Sequence, residues 1–264
     1  MERVDILGVR ICATNLEAAC DQIEEWIDLH ESNYVCACAA HSIMECVQNP
    51  ALYTLYNNNG MTVPDGMSVA WLLKLKGFWR AGRVAGTELM ESVLARSLQR
   101  GWKHYFYGGS PEGITALKQQ VENRFPGIQI VGTCSPPYRD LSYEEDEDVV
   151  ARINSSSADI VWVAIGSPRQ EQWMGTHAAR LTVPVQVGVG AAFDFLSGQK
   201  LRAPRWMQKI GLEWLFRLLV EPGRLWPRYR KYPRFVVLVL SQLLGLQHPG
   251  SAGESAGPSS SVDS

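Results

Sequence analysis

Two rhythms of apolar residues alternate along the chain. Tyr34–Ala39, Met61–Val63, His104–Tyr107, Ile128–Thr133, Asp159–Ile165 and Val183–Val189 are short runs of mostly apolar residues. Such runs read as strands buried on both faces. Longer stretches between them carry helical spacing, and some of their starts are legible. Thr14-x-x-Glu17 and Ser142-x-x-Glu145 fit capping boxes, and Pro111 stands where a first helical residue is expected. Buried strands separated by helices imply a parallel sheet covered on both sides. The pattern therefore predicts an α/β fold over residues 1–198, a doubly wound, mainly parallel, Rossmann-like sheet.

The rhythm changes near residue 199. Residues 199–248 are rich in Arg, Trp and Pro, and predict a basic, aromatic, helical appendage. Leu212, Leu215, Phe216 and Leu219 mark one helical face, which Glu221-Pro222 interrupts. Residues 249–264 are mostly Gly, Ser, Ala and Pro with almost nothing to bury, which predicts disorder. No internal repeat is visible. The longest apolar run, Phe235–Leu246, is too short to span a bilayer and contains Ser241 and Gln242. The first residues lack a basic segment followed by an apolar one, so no secretory signal is expected.

Composition sharpens this division. The 264 residues have a net charge of −2, yet residues 199–234 hold ten Lys/Arg against Glu213 and Glu221. That segment is +8, which leaves −10 for the remainder. An acidic body with one basic, Trp-bearing end points to a local anionic partner, either phosphate or a membrane surface. Nucleic acid fits less well, because no stacking or groove-reading motif appears. Cys12, Cys20, Cys36, Cys38, Cys46 and Cys134 show neither C-x-x-C spacing nor a histidine at zinc spacing. They read as buried free thiols in a reducing, cytoplasmic compartment.

In an open parallel sheet, ligands bind beyond the carboxyl ends of the strands, and four such ends carry unusual residues. Asp65, after Val63-Pro64, is placed either to remove a proton from a hydroxyl or to cap the next helix. Gly108 and Gly109, before Ser110-Pro111, form either a diphosphate cradle at a helix N-terminus or a plain turn. Gln170, in Gly166-Ser-Pro-Arg-Gln-Glu171, has the donor and acceptor a base edge needs, or is a surface polar residue. Asp194 sits among apolar neighbours after Gly188-x-Gly190, where a carboxylate needs a dedicated partner, internal or from a ligand. That glycine spacing is not the Gly-x-Gly-x-x-Gly of dinucleotide-binding enzymes, which argues against an oxidoreductase. Arg217 and Arg224, with Arg228 and Arg230, have the forked donors that suit phosphate.

Taken in order, Val63-Pro-Asp-Gly-Met67, Arg83-Val-Ala-Gly-Thr87, Tyr107-Gly-Gly109, Ile128–Gly132, Gly166-Ser-Pro-Arg-Gln-Glu171, Gly188-Val-Gly-Ala-Ala-Phe-Asp194 and Arg202-Ala-Pro resemble the WecG/TagA/CpsF family of bacterial glycosyltransferases. Gly211-Leu-Glu-Trp-Leu-Phe-Arg-Leu218 and Glu221-Pro222-x-Arg224 extend the resemblance, which covers about residues 4–232. It implies an inverting transferase that moves a hexose from a UDP-sugar to a sugar carried on a polyprenyl diphosphate, in surface polysaccharide or exopolysaccharide assembly. It also implies a cytoplasmic enzyme held peripherally on the anionic inner face of the plasma membrane, with self-association in some members.

By position, Asp65 resembles the general base and Arg83 a residue beside the donor. Gln170 and Asp194 resemble uridine contacts, and Arg217 and Arg224 resemble arginines that steady the leaving diphosphate. No metal or other cofactor is expected, and no Asp-x-Asp pair is present to hold one. The chain departs from the family at Ala37 and Ala39, where Thr-x-Asn is usual beside the donor sugar. That favours a plain hexose such as glucose over an N-acetylated donor. His41, close by, reads as a structural or solvated histidine. The alternative reading is a catalytically silent scaffold that binds UDP and lipid.

Overall fold

A computed structural model of the chain describes residues 1–58 and 60–246. It opens with an antiparallel hairpin, β1 (Arg3–Ile6) and β2 (Val9–Cys12), followed by helix α1 (Leu16–Leu29). Strand β3 (Asn33–Cys38), helices α2 (Ala40–Gln48) and α3 (Ala51–Asn57), and strand β4 (Met61–Pro64) come next. Helices α4 (Met67–Leu75) and α5 (Gly86–Arg100) then lead to β5 (Lys103–Gly108), α6 (Pro111–Arg124) and β6 (Gln129–Cys134). The sheet is completed by α7 (Tyr143–Ser155), β7 (Ile160–Ala164), α8 (Arg169–His177) and β8 (Val185–Gly188). After α9 (Ala192–Leu196) the described chain ends in four helices: α10 (Arg205–Lys209), α11 (Glu213–Val220), α12 (Pro222–Tyr229) and α13 (Tyr232–Leu243).

Six strands form one parallel sheet in the order β4-β3-β8-β7-β5-β6, and each corresponds to one of the predicted apolar runs. Alternate residues of a strand face opposite sides of a sheet, and two buried clusters follow from that. Val35, Phe106, Trp162 and Val187 pack with α1, α5 and α6 on one face. Cys36, Cys38, Tyr107 and Val163 pack with the hairpin and α2, α3, α7 and α8 on the other. The fold is thus a doubly wound, Rossmann-like α/β sheet. Strand β6 is the exception to full burial, because as an edge strand it leaves Val131 exposed.

Local signals were accurate to within a residue or two. Ser142 accepts from Glu145 N–H at 3.2 Å while Glu145 accepts from Ser142 N–H at 2.8 Å, the expected capping box. Ser110 caps α6 with Pro111 in its first turn. At α1 the cap is Asn15, not Thr14, and its side chain accepts from Ala18 N–H. The hairpin was not predicted. Val4/Ile6 and Val9/Ile11 alternate as strand residues should, but the two-residue turn is Leu7-Gly8. Leu7 takes a positive φ of 53° that favours Asn or Gly, and its side chain is fully buried.

Of the four last helices, α11 and α12 lie over the carboxyl edge of the sheet and α13 packs on α2, and all four contribute little to either core. Neither α10 nor α11 buries a residue, α12 buries Leu225 and Tyr229, and α13 buries Phe235 and Val239. Polar ties hold them down: Lys231 to Gln48, Arg228 to the Ser167 carbonyl, and Gln242 to Asp5 and the Leu7 N–H. The predicted disordered tail, residues 249–264, lies outside the described residues. All six cysteines are buried and free. Among the described residues, no helix is long and apolar enough to cross a membrane.

Candidate active site

Five of the six parallel strands end in one cleft of about 400 Å³. Its sheet side is formed by Ala37 and Ala39 after β3, Asp65 after β4, Gly109 after β5, Gly166 and Gln170 after β7, and Val189–Asp194 after β8. Several helices begin here. The N-caps of α4, α5 and α9 are Gly66, Ala85 and Ala191, none of which supplies a capping side chain. Uncapped amide N–H groups at these starts favour an anion. Trp214, Arg217, Arg224, Arg228, Tyr229 and Tyr232 of the last helices close the opposite side.

Asp65 sits at the floor. Its N–H bonds to Cys38 O at 3.0 Å, which fixes the backbone at the end of the sheet. Because α4 is capped at Gly66, Asp65 is not the helix cap, and its carboxylate lines the cleft. Burial pushes its pKa up, Arg83 pulls it down, and Glu213 opposes Arg83. The outcome is a raised value, hence a carboxylate more basic than an ordinary aspartate.

Arg83 lines the same floor with its donors already engaged. It donates to Asp65 O at 3.0 Å and to Gln208 O at 3.5 Å, and pairs with Glu213 at 2.6 Å. Arg202 adds a bond to Glu88 at 2.5 Å and a contact with Glu213 at 3.4 Å. Two arginines and two glutamates thus tie α11 to the start of α5 with no net charge. The geometry makes Arg83 a strut that locks the Asp65 backbone.

Arg217 and Arg228 differ. Neither has a carboxylate partner among the described residues. Arg217 lies over the Phe195 ring at 5.6 Å, and Arg228 donates to Ser167 O at 3.2 Å. Arg224, expected to act with Arg217, is ion-paired to Glu221, which also meets Lys200 at 3.2 Å. Lys200 in turn holds Asp194 at 2.6 Å, so that carboxylate has an internal partner.

The glycine pair has a packing reason. A Cβ on Gly108 would stand 2.4 Å from Ala164 O, and Gly109 N–H donates to that same oxygen at 3.1 Å. Of the two, only Gly109 lines the cleft. Gln170 is buried, and its amide donates to Glu171 at 3.0 Å. Its carbonyl oxygen has no partner among the described residues. A Cβ on Gly188 would lie 3.0 Å from that amide, so the glycine makes room for it.

Two cleft residues gained weight only from the structure. His41 lines the cleft where Ala37 and Ala39 leave space. Burial, with Arg228, Arg217 and Lys231 nearby, lowers its pKa to about 3, so the imidazole is neutral. Arg228 was one of several tail cations in the sequence, and nothing local marked it as one that faces the cleft without a carboxylate partner among the described residues. Among the described residues, no group of three or more His, Cys, Asp or Glu is placed to hold a metal ion.

The family model described as "Glycosyl transferase WecG/TagA/CpsF family" matches residues 4–249. An N-acetylglucosaminyldiphosphoundecaprenol N-acetyl-beta-D-mannosaminyltransferase of Bacillus spizizenii (strain ATCC 23059 / NRRL B-14472 / W23) is 31% identical over 229 residues, 87% of each chain. A protein of the same description from Bacillus subtilis (strain 168) is 26% identical over 244 residues, covering 92% of this chain and 93% of its own.

Proposed function

The chain belongs to the WecG/TagA/CpsF glycosyl transferase family, and from that premise we propose that it is an inverting enzyme moving a hexose from a UDP-sugar to a polyprenyl-diphosphate-linked sugar. One observation carries the reading. A basic carboxylate, Asp65, and two cations without carboxylate partners among the described residues, Arg217 and Arg228, line a single cleft at the carboxyl edge of the sheet.

The proposed step is one in-line displacement. Asp65 takes the proton of an acceptor hydroxyl as its oxygen attacks the anomeric carbon of the donor. The bond from that carbon to the β-phosphate oxygen breaks, and its electron pair leaves with UDP. Attack opposite the leaving group inverts the anomeric centre. Arg217 and Arg228, with Arg224 at the rim, offset the negative charge that grows on the departing diphosphate. In this reading arginines supply the charge stabilisation, with no metal required. Gln170, whose carbonyl oxygen has no partner among the described residues, and Asp194 fit the uridine end, and the glycine loop at Gly108-Gly109 borders the diphosphate.

The relatives are named for an N-acetylmannosaminyl group and a diphosphoundecaprenol-linked N-acetylglucosamine acceptor. A lipid-linked acceptor is proposed here too, with assembly of a surface polysaccharide as the setting. Ala37 and Ala39 offer a donor no side-chain hydrogen bond, and the neutral His41 and Ser42 are polar groups close to them in sequence that line the same cleft. A donor without an N-acetyl group, with glucose first, fits that wall. The protein would work peripherally at the inner face of the membrane, its basic C-terminal helices toward anionic lipid.

UDP release tests the proposal, measured across a panel of UDP-sugars with and without a sugar-diphosphate-lipid acceptor. Acceptor-dependent release from one donor is the expected result. A folded protein that binds UDP but releases none from any donor and acceptor would instead be the silent scaffold that Ala37 and Ala39 would explain.

A further inference from the structure

The C-terminal helices are not the only surface with aromatic and basic residues. On the α/β body, Trp71 and Leu75 stand one turn apart on α4, and Trp79 follows just past its end. They are 49%, 71% and 75% exposed, while Leu72 and Leu73 between them are buried in the core. The helix ends in a tight turn in which Phe78 N–H reaches back to Leu73 O at 3.0 Å, so the segment after it stays against the last turn. Lys74, Lys76 and Arg80 are interleaved with these apolar residues, and the whole stretch from Gly66 to Gly86 contains no carboxylate. Among the described residues none of the three cations is in an ion pair.

The position of this face matters as much as its composition. Trp71 lines the mouth of the cleft. A Cβ on Gly211 would lie 3.0 Å from its ring, so α4 abuts the joint between α10 and α11. Exposed Trp206 and Ile210 flank that joint. Large apolar side chains flanked by lysine and arginine are what a helix lying in a lipid headgroup layer presents. A twofold contact between two copies of this face would set Lys74, Lys76 and Arg80 against like charges, whereas an anionic bilayer attracts all three.

We infer that the α4 edge of the body is a second membrane-docking element, which with the α10–α11 joint seats the cleft mouth on an anionic lipid surface. The inference rests on the proposed lipid-linked acceptor for its purpose: it would place Asp65 where a headgroup-borne sugar emerges, and make docking independent of the last helices alone.

Flotation of the full-length chain with mixed phosphatidylcholine–phosphatidylglycerol vesicles tests it. A Lys74→Gln/Lys76→Gln/Arg80→Gln variant should lose about a hundredfold in partitioning, and more salt should remove the difference from wild type. Leu75→Ser/Trp79→Ser should lose about tenfold, also on neutral vesicles. Both sets are surface residues outside the catalytic arrangement, so thermal melting and UDP release with a short-chain, water-soluble acceptor should stay at wild-type values. Partitioning within about twofold of wild type for both variants overturns the inference. So does a change confined to self-association by light scattering, which would make the face a contact between copies. If the wild type fails to release UDP while the variants still lose vesicle binding, the docking face stands and the transferase reading falls.

Discussion

The two sides of the cleft are built on opposite plans. On the sheet side, the strands that end in the cleft are buried on both faces, Gly108 and Gly188 are packed against neighbours, and Arg83 has a carboxylate neighbour in Glu88 at 3.8 Å. On the helical side, α10 and α11 bury nothing, and Leu219, Val220 and Trp226 face outward. Arg217 and Arg228 on that side have no carboxylate partner among the described residues. A self-sufficient core holds a reacting group still. A cover held by polar ties can move and can have its charges completed by something else. In the proposed reaction the proton acceptor therefore comes from the rigid side and the counter-charge from the adaptable one.

Substitutions on the two sides should therefore have different consequences. Asp65→Asn should have the largest effect on turnover, a loss of about 10²–10⁴-fold in UDP release. UDP affinity by calorimetry should be unchanged, and near-normal turnover would remove Asp65 from the chemistry. Phe106→Ala, at a fully buried position, should cost about 3–5 kcal/mol in chemical denaturation. Leu219→Ala should stay within about 0.5 kcal/mol. Equal costs would mean that the cover is as integral as the core.

Arginines give a finer test. Arg217→Gln should lower kcat by about a hundredfold with an unchanged melting temperature. Arg83→Gln should instead destabilise the fold by on the order of 2–3 kcal/mol, because it leaves Glu213 short of a counter-charge. A stability loss at Arg217 matching that at Arg83 would erase the distinction between strut and ligand.

A further test is a slope in pH. Burial raises the pKa of Glu171 from 4.5 to about 7, with Gln170 and backbone bonding opposing. The native state therefore holds this proton more tightly than the unfolded chain does. The stability it contributes is full below about 4.5 and is lost as pH rises through about 7. Glu171→Gln should flatten that decline, and an unchanged slope would assign it to other groups.

The sheet was readable because burying a strand on both faces demands continuous apolar residues, and the six runs from Tyr34 to Val189 supplied them. The hairpin escaped because the Leu7-Gly8 turn lacks the usual residue at its first position. It is held by tertiary contacts: Tyr53 donates to Leu7 O at 2.9 Å and Leu7 N–H to Gln242 at 3.1 Å. The same division runs through the cleft.

Residue type and strand-end position singled out Asp65, Gln170, Asp194 and the tail arginines. They did not separate Arg217 from Arg224, or Arg83 from both. Nor did they show that Lys200 answers Asp194, or that α4 presents Trp71, Leu75 and Trp79 to solvent. Local sequence determined the strands, the covered sheet and the chemistry available at its carboxyl edge, because periodicity and capping act over a few residues. Which charges are cancelled and which are left facing the cleft was decided by tertiary structure. Ion pairing depends on groups such as Arg83 and Glu213, 130 positions apart in the chain and 2.6 Å apart in space.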